Sequence, residues 1–305
     1  MTLPLSGPMS ASMINVELGR AGNAPFDING AQERALAAVP AGKISFSDFY
    51  GKSSSFSPLN ISDCILWLDA ADAATITMGA APHVFSWEDK SVSSLLLYQS
   101  ADTARPSLRT DLYTLPCIGF EPGDYASATG YLYSDSSITL GLQHTIVTVS
   151  YWNSTAANAR QVLGLVLSSA ASNVIHSGLA RNLYLSCETG VNGGVSNILT
   201  APSTVYARQA TNEQLADTSN VNFYAVNGDV TTATLVQNGA ARTLTKVGTS
   251  WTPAAAPVVI GQPDSQYAGG GAIAEIVVYD RILTLTETSD LFDYLTEKWK
   301  SIVPP

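Results

Sequence analysis

Two Asn-Gly dipeptides, Asn227-Gly228 and Asn238-Gly239, constrain this chain more than any other feature. They punctuate three strand-like runs: Val221–Gly228, Thr231–Gly239 and Arg242–Val247. A two-residue hairpin turn needs positive φ at both central positions, which Asn and Gly tolerate and most residues do not. The pattern therefore predicts an antiparallel meander. Ile65–Leu68, Ile146–Tyr151 and Ile273–Tyr279 add further runs rich in β-branched and aromatic residues. A single helix closes the chain. Thr284 and Glu287 form a capping-box pair, Leu291, Leu295 and Trp299 follow on one face, and Ile302 extends the stripe before Pro304 and Pro305. Such a helix should lie across one sheet or the sandwich edge, covering strand surface that could otherwise recruit another chain. The fold class expected is mainly β, an antiparallel β-sandwich with a C-terminal α-helix.

Charge narrows the partners. The 305 residues carry 25 Asp and Glu against 15 Lys and Arg, a formal net charge of -10 with no basic run, so nucleic acid is not expected. Charged residues make up only 13% of the chain, about half the usual globular share. No apolar stretch approaches the ~20 residues needed to span a bilayer, so no membrane insertion is expected. Met1–Pro8 lacks the charged and apolar regions of a secretory signal, which predicts folding in a cytoplasm. Cys64, Cys117 and Cys187 are odd in number and far apart, and are expected to be reduced and buried.

The first 57 residues read differently from residues 58–305, and Ser53–Pro58 has linker composition. Asn29 with Gln32 suggests a capped helix over Gly30–Val39, ended by Pro40 and Gly42, with Leu36 and Val39 as a narrow apolar stripe. A piece of this size with so few large apolar residues is expected to bury scarcely any core of its own, and so to need a partner.

The runs Ile14–Arg20 (INVELGR) and Ile44–Ser54 (ISFSDFYGKSS) resemble a recurrent N-terminal segment of tailed-phage virion proteins. That resemblance implies an attachment segment over residues 1–57, docking through Ile44, Phe46, Phe49 and Tyr50 onto a tail, baseplate or capsid protein. The alternative is that these side chains pack only within their own chain. Further on, Leu66–Thr77, Phe85–Ser91, Gly119–Tyr125, Phe223–Asp229, Val258–Gln262 and Ile273–Glu287 occur in an order similar to the landmarks of laminin-G-like, concanavalin-type jelly rolls. Trp87, Asp89 and Ser91 match a W-x-D-x-S element, with Val92 where a Gly is usual, so the turn there must be rebuilt. The stretch Ser154–Asn220 matches no landmark and reads as enlarged loops.

Together the resemblances imply a virion protein made and folded in a host bacterial cytoplasm, homo-oligomeric in the particle. Its sandwich would be displayed for adhesion to host-surface glycan or for particle decoration, although no heptad repeat imposes an oligomer. They also imply calcium as the one ion to consider, with Asp69, Asp72 and Asp89 as oxygen ligands. The competing role for Asp69 and Asp72 is to cap the turn after the Trp67 strand.

Catalysis is not expected from the residues alone. A retaining glycosidase needs two carboxylates about 5 Å apart. The local pairs Asp69/Asp72, Glu121/Asp124 and Glu88/Asp89 lack a diagnostic strand spacing. His83, His144 and His176 fit no triad, no Cys/His spacing suggests zinc, and Gly269–Gly271 reads as a turn. The alternative kept beside the non-enzymatic reading is a carbohydrate-active hydrolase on a concanavalin-type fold. Sugar binding needs exposed aromatic rings beside polar groups, and Trp152 with Asn153, Trp251, and Tyr267 with Asp264 are the loop candidates. Trp67, Trp87 and Trp299 are expected in the core.

Overall fold

The computed structural model describes residues 3–18, 20–52, 56–120, 130–152, 160–161, 166–168, 181–189, 195–201, 205–209, 219–227, 229–242, 244–247, 254–261 and 271–299. Residues 152, 160–220, 229–232, 244–254 and 256 within these ranges are described by backbone alone. The chain divides into two compact units, Met1–Ser57 and Pro58–Pro305.

The first unit holds two short helices. Helix α1, Ala11–Glu17, starts at Ser10, whose side chain accepts from the Met13 amide. Helix α2 spans Ala31–Ala37 and starts at Gly30, not at the expected Asn29, whose side-chain oxygen accepts from Arg34. It closes earlier than Pro40 requires, because Ala38 turns into the left-handed region at φ 58°. Phe46–Phe49 forms a 3-10 turn in which Asp48 accepts from the Ser45 amide at 2.7 Å.

The expectation that this piece lacks a core is corrected. Leu3, Ile14, Leu36, Ala37 and Phe49 are buried together, with Met9, Leu18, Phe26, Ile28, Val39 and Ile44 packed around them. Helical periodicity located only the α2 stripe. The other contributors stand in α1, in turns and in irregular chain, where no period marks them. Leu3 N–H to Lys52 O (2.9 Å) and Gly51 N–H to Pro4 O (3.0 Å) tie the two ends of the unit together. A salt bridge from Arg20 to the buried Glu33 (2.6 Å) fastens the connecting loop to α2.

The second unit is an antiparallel β-sandwich closed by helix α3, Leu285–Lys298, as the sequence predicts. Its described residues form an eight-stranded and an eleven-stranded sheet. In the first, the strand order is Ala240–Arg242, Asp229–Gln237, Ser219–Asn227, Gln143–Trp152, Gly271–Tyr279, Cys117–Gly119 and Ser107–Arg109. Cys64–Asp69 also pairs with Gly271–Tyr279, on the edge it shares with Cys117–Gly119. In the second the order is Leu244–Val247, Val205–Gln209, Val195–Ala201, Arg181–Thr189, Val166–Ser168, Ala254–Gly261, Tyr131–Leu140, Leu96–Tyr98, Val84–Glu88 and Ile76–Met78, with Arg160–Gln161 beside Arg181–Thr189. The region expected as enlarged loops therefore supplies five strands, Arg160–Gln161 through Val205–Gln209.

The meander forms, with one change. Ser219–Asn227 pairs with Asp229–Gln237, which pairs in turn with Ala240–Arg242. Asn238 and Gly239 take φ 49° and 78°, the two positive values the turn needs. Asn238 does more than tolerate this conformation: its side chain accepts from the Val221 amide at 2.8 Å. The third run is not one strand. After Arg242 the chain changes sheet, and Leu244–Val247 pairs with Val205–Gln209.

Gly271–Tyr279 is buried at all nine positions, so both of its faces are covered. Its register with Cys64–Asp69 sets Trp67 opposite Val277 and Asp69 opposite Glu275 on one face. Leu66, Leu68, Ile276 and Val278 alternate onto the other, and each is 0% exposed. Helix α3 covers the Glu275 face. Leu291 and Leu295 are fully buried, Phe292 meets Phe223 with ring centroids 6.4 Å apart, and Trp299 packs edge-on to Tyr113 at 5.5 Å. Its predicted capping box is present, with Glu287 accepting from the Thr284 amide and hydroxyl. Residues 300–305, which include Ile302, lie outside the described residues. Trp67, Trp87 and Trp299 are core residues as expected, and Cys64 and Cys117 are buried thiols outside any disulfide. The Cys187 side chain lies outside the described residues. None of the described helices is long and apolar enough to cross a membrane.

Phe49→Ala should cost ~3–5 kcal/mol in the first unit, because it empties the centre of a small core. Hydrogen exchange on the full chain should then show lost protection in α1 and α2. Helix α3 gives a pH test. Arg281, hydrogen-bonded to Glu287, holds that carboxyl at about 2, below its ordinary value of 4.5. A depressed carboxylate pKa contributes stability above its unfolded value and loses it as pH falls through the folded one. Melting temperature should therefore fall between about pH 4.5 and about pH 2, and Glu287→Gln should flatten that part of the profile.

Candidate functional site

Two arrangements of polar and aromatic groups stand out in the sandwich. The first begins at Glu275, at the centre of a buried strand and 0% exposed. A carboxylate in that position needs a hydrogen-bond donor for each oxygen and an opposing charge. Its Oε1 accepts from the Trp67 indole at 2.6 Å, and its Oε2 accepts from the Trp299 indole at 2.5 Å and from Lys298 Nζ at 2.7 Å. Lys298 also donates to Asp69 Oδ1 at 2.7 Å and to the Tyr294 hydroxyl at 3.0 Å. Lys90 Nζ lies 4.1 Å from the centre of the Trp67 ring and bridges Asp69 (3.0 Å) and Asp72 (2.7 Å).

The resulting chain of charges, Asp72–Lys90–Asp69–Lys298–Glu275, runs inward from solvent. Side-chain exposure is 35% at Asp72 and 23% at Lys90, against 5% at Asp69, 15% at Lys298 and 0% at Glu275. Burial pushes the Glu275 pKa above the ordinary carboxylate range, while Lys298 beside it pulls the other way. At the wet end the Lys90 ammonium holds Asp72 below its usual value.

The three aspartates named for calcium are not brought together around one point. An ammonium, Lys90 Nζ, lies between Asp69 and Asp72. Asp89 instead organises the loop after Trp87, accepting from the amides of Trp67 (2.8 Å), Ser91 (2.8 Å) and Leu95 (3.2 Å) and from the Ser91 hydroxyl (2.8 Å). In that loop Val92 is 86% exposed, and the positive φ, 46°, falls on Ser94. The capping role holds for the other two, since Ala71 N–H donates to Asp69 and Ala74 N–H to Asp72. Among the described residues no group of three or more His, Cys, Asp or Glu is placed to hold a metal ion.

The second arrangement lies on the second sheet. In Tyr131–Leu140, Leu132 and Ser134 are buried at 0% and 1%, so the alternating Tyr131, Tyr133 and Asp135 take the opposite face. Tyr98 stands directly across from Tyr133, and their rings are 4.7 Å apart. Tyr131 lies 6.1 Å beyond Tyr133, and Phe85 lies 6.4 Å beyond Tyr98. Four half-buried rings thus form a row across three strands, inclined to one another by 33–43°. The Tyr98 hydroxyl donates to Asp135 at 2.9 Å in a solvent-exposed bond. The Tyr133 hydroxyl and the Asp135 carboxylate raise the Tyr98 pKa above that of an ordinary phenol. Arg105 caps the far end, 5.0 Å from the centre of the Phe85 ring. Such a surface offers apolar ring area and hydroxyl tips to a ligand that has both.

These strand residues are not among the candidates that the sequence places in loops. The Tyr131-Leu-Tyr133-Ser-Asp135 alternation was the available signal. Of the loop candidates, Asn153, Trp251, Asp264 and Tyr267 lie outside the described residues, and Trp152 ends a strand whose last side chain does too. Among the proposed docking residues, Phe49 is 0% exposed and belongs to the core of its unit. Phe46 is 38% exposed and stacks on Phe26, Ile44 packs against the core, and the Tyr50 hydroxyl donates to Gly7 O.

No family model and no curated sequence matches the chain. Among solved structures, an arabinofuranosidase complexed with arabinofuranosyl-alpha-1,2-xylobiose is 9% identical, with 80% of this chain and 61% of that one covered and a TM-score of 0.52. A Trypanosoma rangeli sialidase is 12% identical over 80% of this chain and 34% of its own, with a TM-score of 0.48. The Emp47p carbohydrate recognition domain is 10% identical over 73% of this chain and 97% of its own, with a TM-score of 0.41. The chain spans about a third of the sialidase it matches. What is shared is the fold. The arabinofuranosidase overturns the expectation that the chain is not an enzyme: an enzyme has a like fold, so this fold does not exclude catalysis. The fold also sets Asp69 opposite Glu275 from the two ends of the domain, a juxtaposition that spacing in sequence does not reveal.

Lys298→Met should cost ~3–5 kcal/mol in urea unfolding, since it strands the buried Glu275 carboxylate without its cation and leaves Asp69 with Lys90 alone. Adding Glu275→Gln should recover part of that loss. A Lys298→Met variant as stable as the parent would show that the network does not hold the helix.

Proposed function

We propose that the Pro58–Pro305 sandwich binds glycan, and that the chain is a component of a tailed-phage particle attached through Met1–Ser57. The row Tyr131, Tyr133, Tyr98 and Phe85 carries the binding reading. Rigid rings with polar tips lose little conformational entropy on contact, and they match a ligand with apolar ring faces and many hydroxyls. The arabinofuranosidase of like fold, solved with a substituted xylobiose bound, supports a sugar as the ligand class. The attachment reading rests on the INVELGR and ISFSDFYGKSS runs. In the first unit, Phe46 at 38%, Met13 at 37% and Val16 at 46% exposure supply apolar surface for a neighbour in the particle.

The fold also supports a second reading, in which the bound glycan is cleaved. Incubating the chain with polysaccharides, then measuring both retention and new reducing ends, separates the two. Retention alone is the expected signature of a binder, and new reducing ends that of a hydrolase. Deleting residues 1–57 should leave glycan retention intact and abolish incorporation into particles. Normal incorporation of the truncated chain would refute the attachment role.

A further inference from the structure

We infer that the aromatic row selects uncharged sugar chains of several residues, and that Asp135 enforces the selection. This rests on the glycan reading above and names the ligand that reading leaves open. Asp135 is exposed, and its one hydrogen bond among the described residues is the one it accepts from Tyr98 at Oδ2. A carboxylate has about four acceptor sites, so most of its capacity faces the ligand. Sugar hydroxyls can fill it as donors. A carboxylate or sulfate on the sugar cannot, and it would be repelled.

The surroundings add to this preference. Glu88 is exposed opposite Leu96, on the strand next to Tyr98, and Asp102 is 48% exposed. Arg105, the cation over the Phe85 ring, is already committed. Its Nε donates to Gln99 O at 2.8 Å, its Nη2 to Ser100 O at 2.9 Å and its Nη1 to Asp102. Turning those donors to an anionic sugar would break the loop that Arg105 holds. The whole chain, at a net charge of -10, opposes an anionic ligand at longer range as well.

The rings set the ligand's size and shape. Centroid steps of 6.1, 4.7 and 6.4 Å extend across three strands, more than a single pyranose can cover. Successive planes turn by 33°, 43° and 36°, so a flat array cannot meet every ring. A soluble, flexible chain can.

The test is titration calorimetry on the full chain. The probes are soluble neutral oligosaccharides of increasing length, and the same backbones carrying uronate or sulfate groups. Neutral chains should bind more tightly as they lengthen, and the charged counterparts should bind at least about tenfold more weakly. Asp135→Asn, which keeps the acceptor for Tyr98, should narrow that ratio without lowering the melting temperature. Tyr133→Ala should weaken neutral binding by about tenfold or more. Equal binding of charged and neutral chains, or an unchanged ratio in Asp135→Asn, overturns the inference. If glycans bind and neither variant has an effect, the assignment to this row fails while glycan binding stands. If none of the probes binds the parent chain, both fall.

Discussion

A fully buried carboxylate is the constraint around which this sandwich is arranged. Glu275 stands in a strand buried at every position, where an unpaired charge would cost several kcal/mol. Its two indole donors come from opposite ends of the domain, Trp67 on the second unit's first strand and Trp299 at the end of α3. Lys298 supplies the positive charge and shares it with Asp69. The first strand, the central strand and the last helix must therefore assemble together. Leu291, Leu295 and Phe292 supply apolar contact that α3 could make in more than one register, while the polar anchors select a single one.

The other sheet carries the aromatic row on one of its faces. Tyr131, Tyr133 and Tyr98 alternate with buried Leu132, Ser134 and Leu97, so each of those strands contributes to the core and to the exposed row at once. Their positions follow from strand pairing, which holds them more rigidly than a loop would. The same sheet accommodates Arg105, whose three donor groups tie down the Gln99–Asp102 corner at the end of the row. A rigid aromatic face beside the exposed Asp135 carboxylate is suited to recognising a ligand by shape and hydrogen bonding.

Legibility from sequence followed the range of the interaction. The Asn238-Gly239 turn, the Thr284/Glu287 box and the Trp67 strand depend on residues within a few positions of one another, and each formed where it was read. The start of α2 was misplaced by one residue, because Gly30 took the cap and the Asn29 side chain was drawn to Arg34. The core of the first unit is not legible in the sequence because Leu3 and Phe26 converge from irregular chain and Phe49 from a 3-10 turn. Asp69 and Asp72 took the turn-capping role weighed beside calcium, while Lys90, which bridges them, is a partner that spacing does not reveal. The expectation of no catalysis fell to a likeness of fold, that to an arabinofuranosidase, which residue spacing does not reveal.

By itself, then, the sequence determined that the chain is mainly β, that its strands are joined by tight antiparallel turns, and that a capped amphipathic helix closes it. These are local matters of allowed φ, side-chain period and capping geometry. Tertiary structure alone decided that Asp69 faces Glu275 across a ladder, that Lys298 stands between them, and that four rings from three strands line up beside Asp135. Register is the physical reason. Shifting a strand pair by one residue would turn every side chain to the other face, and the register is set by the burial of the whole sandwich.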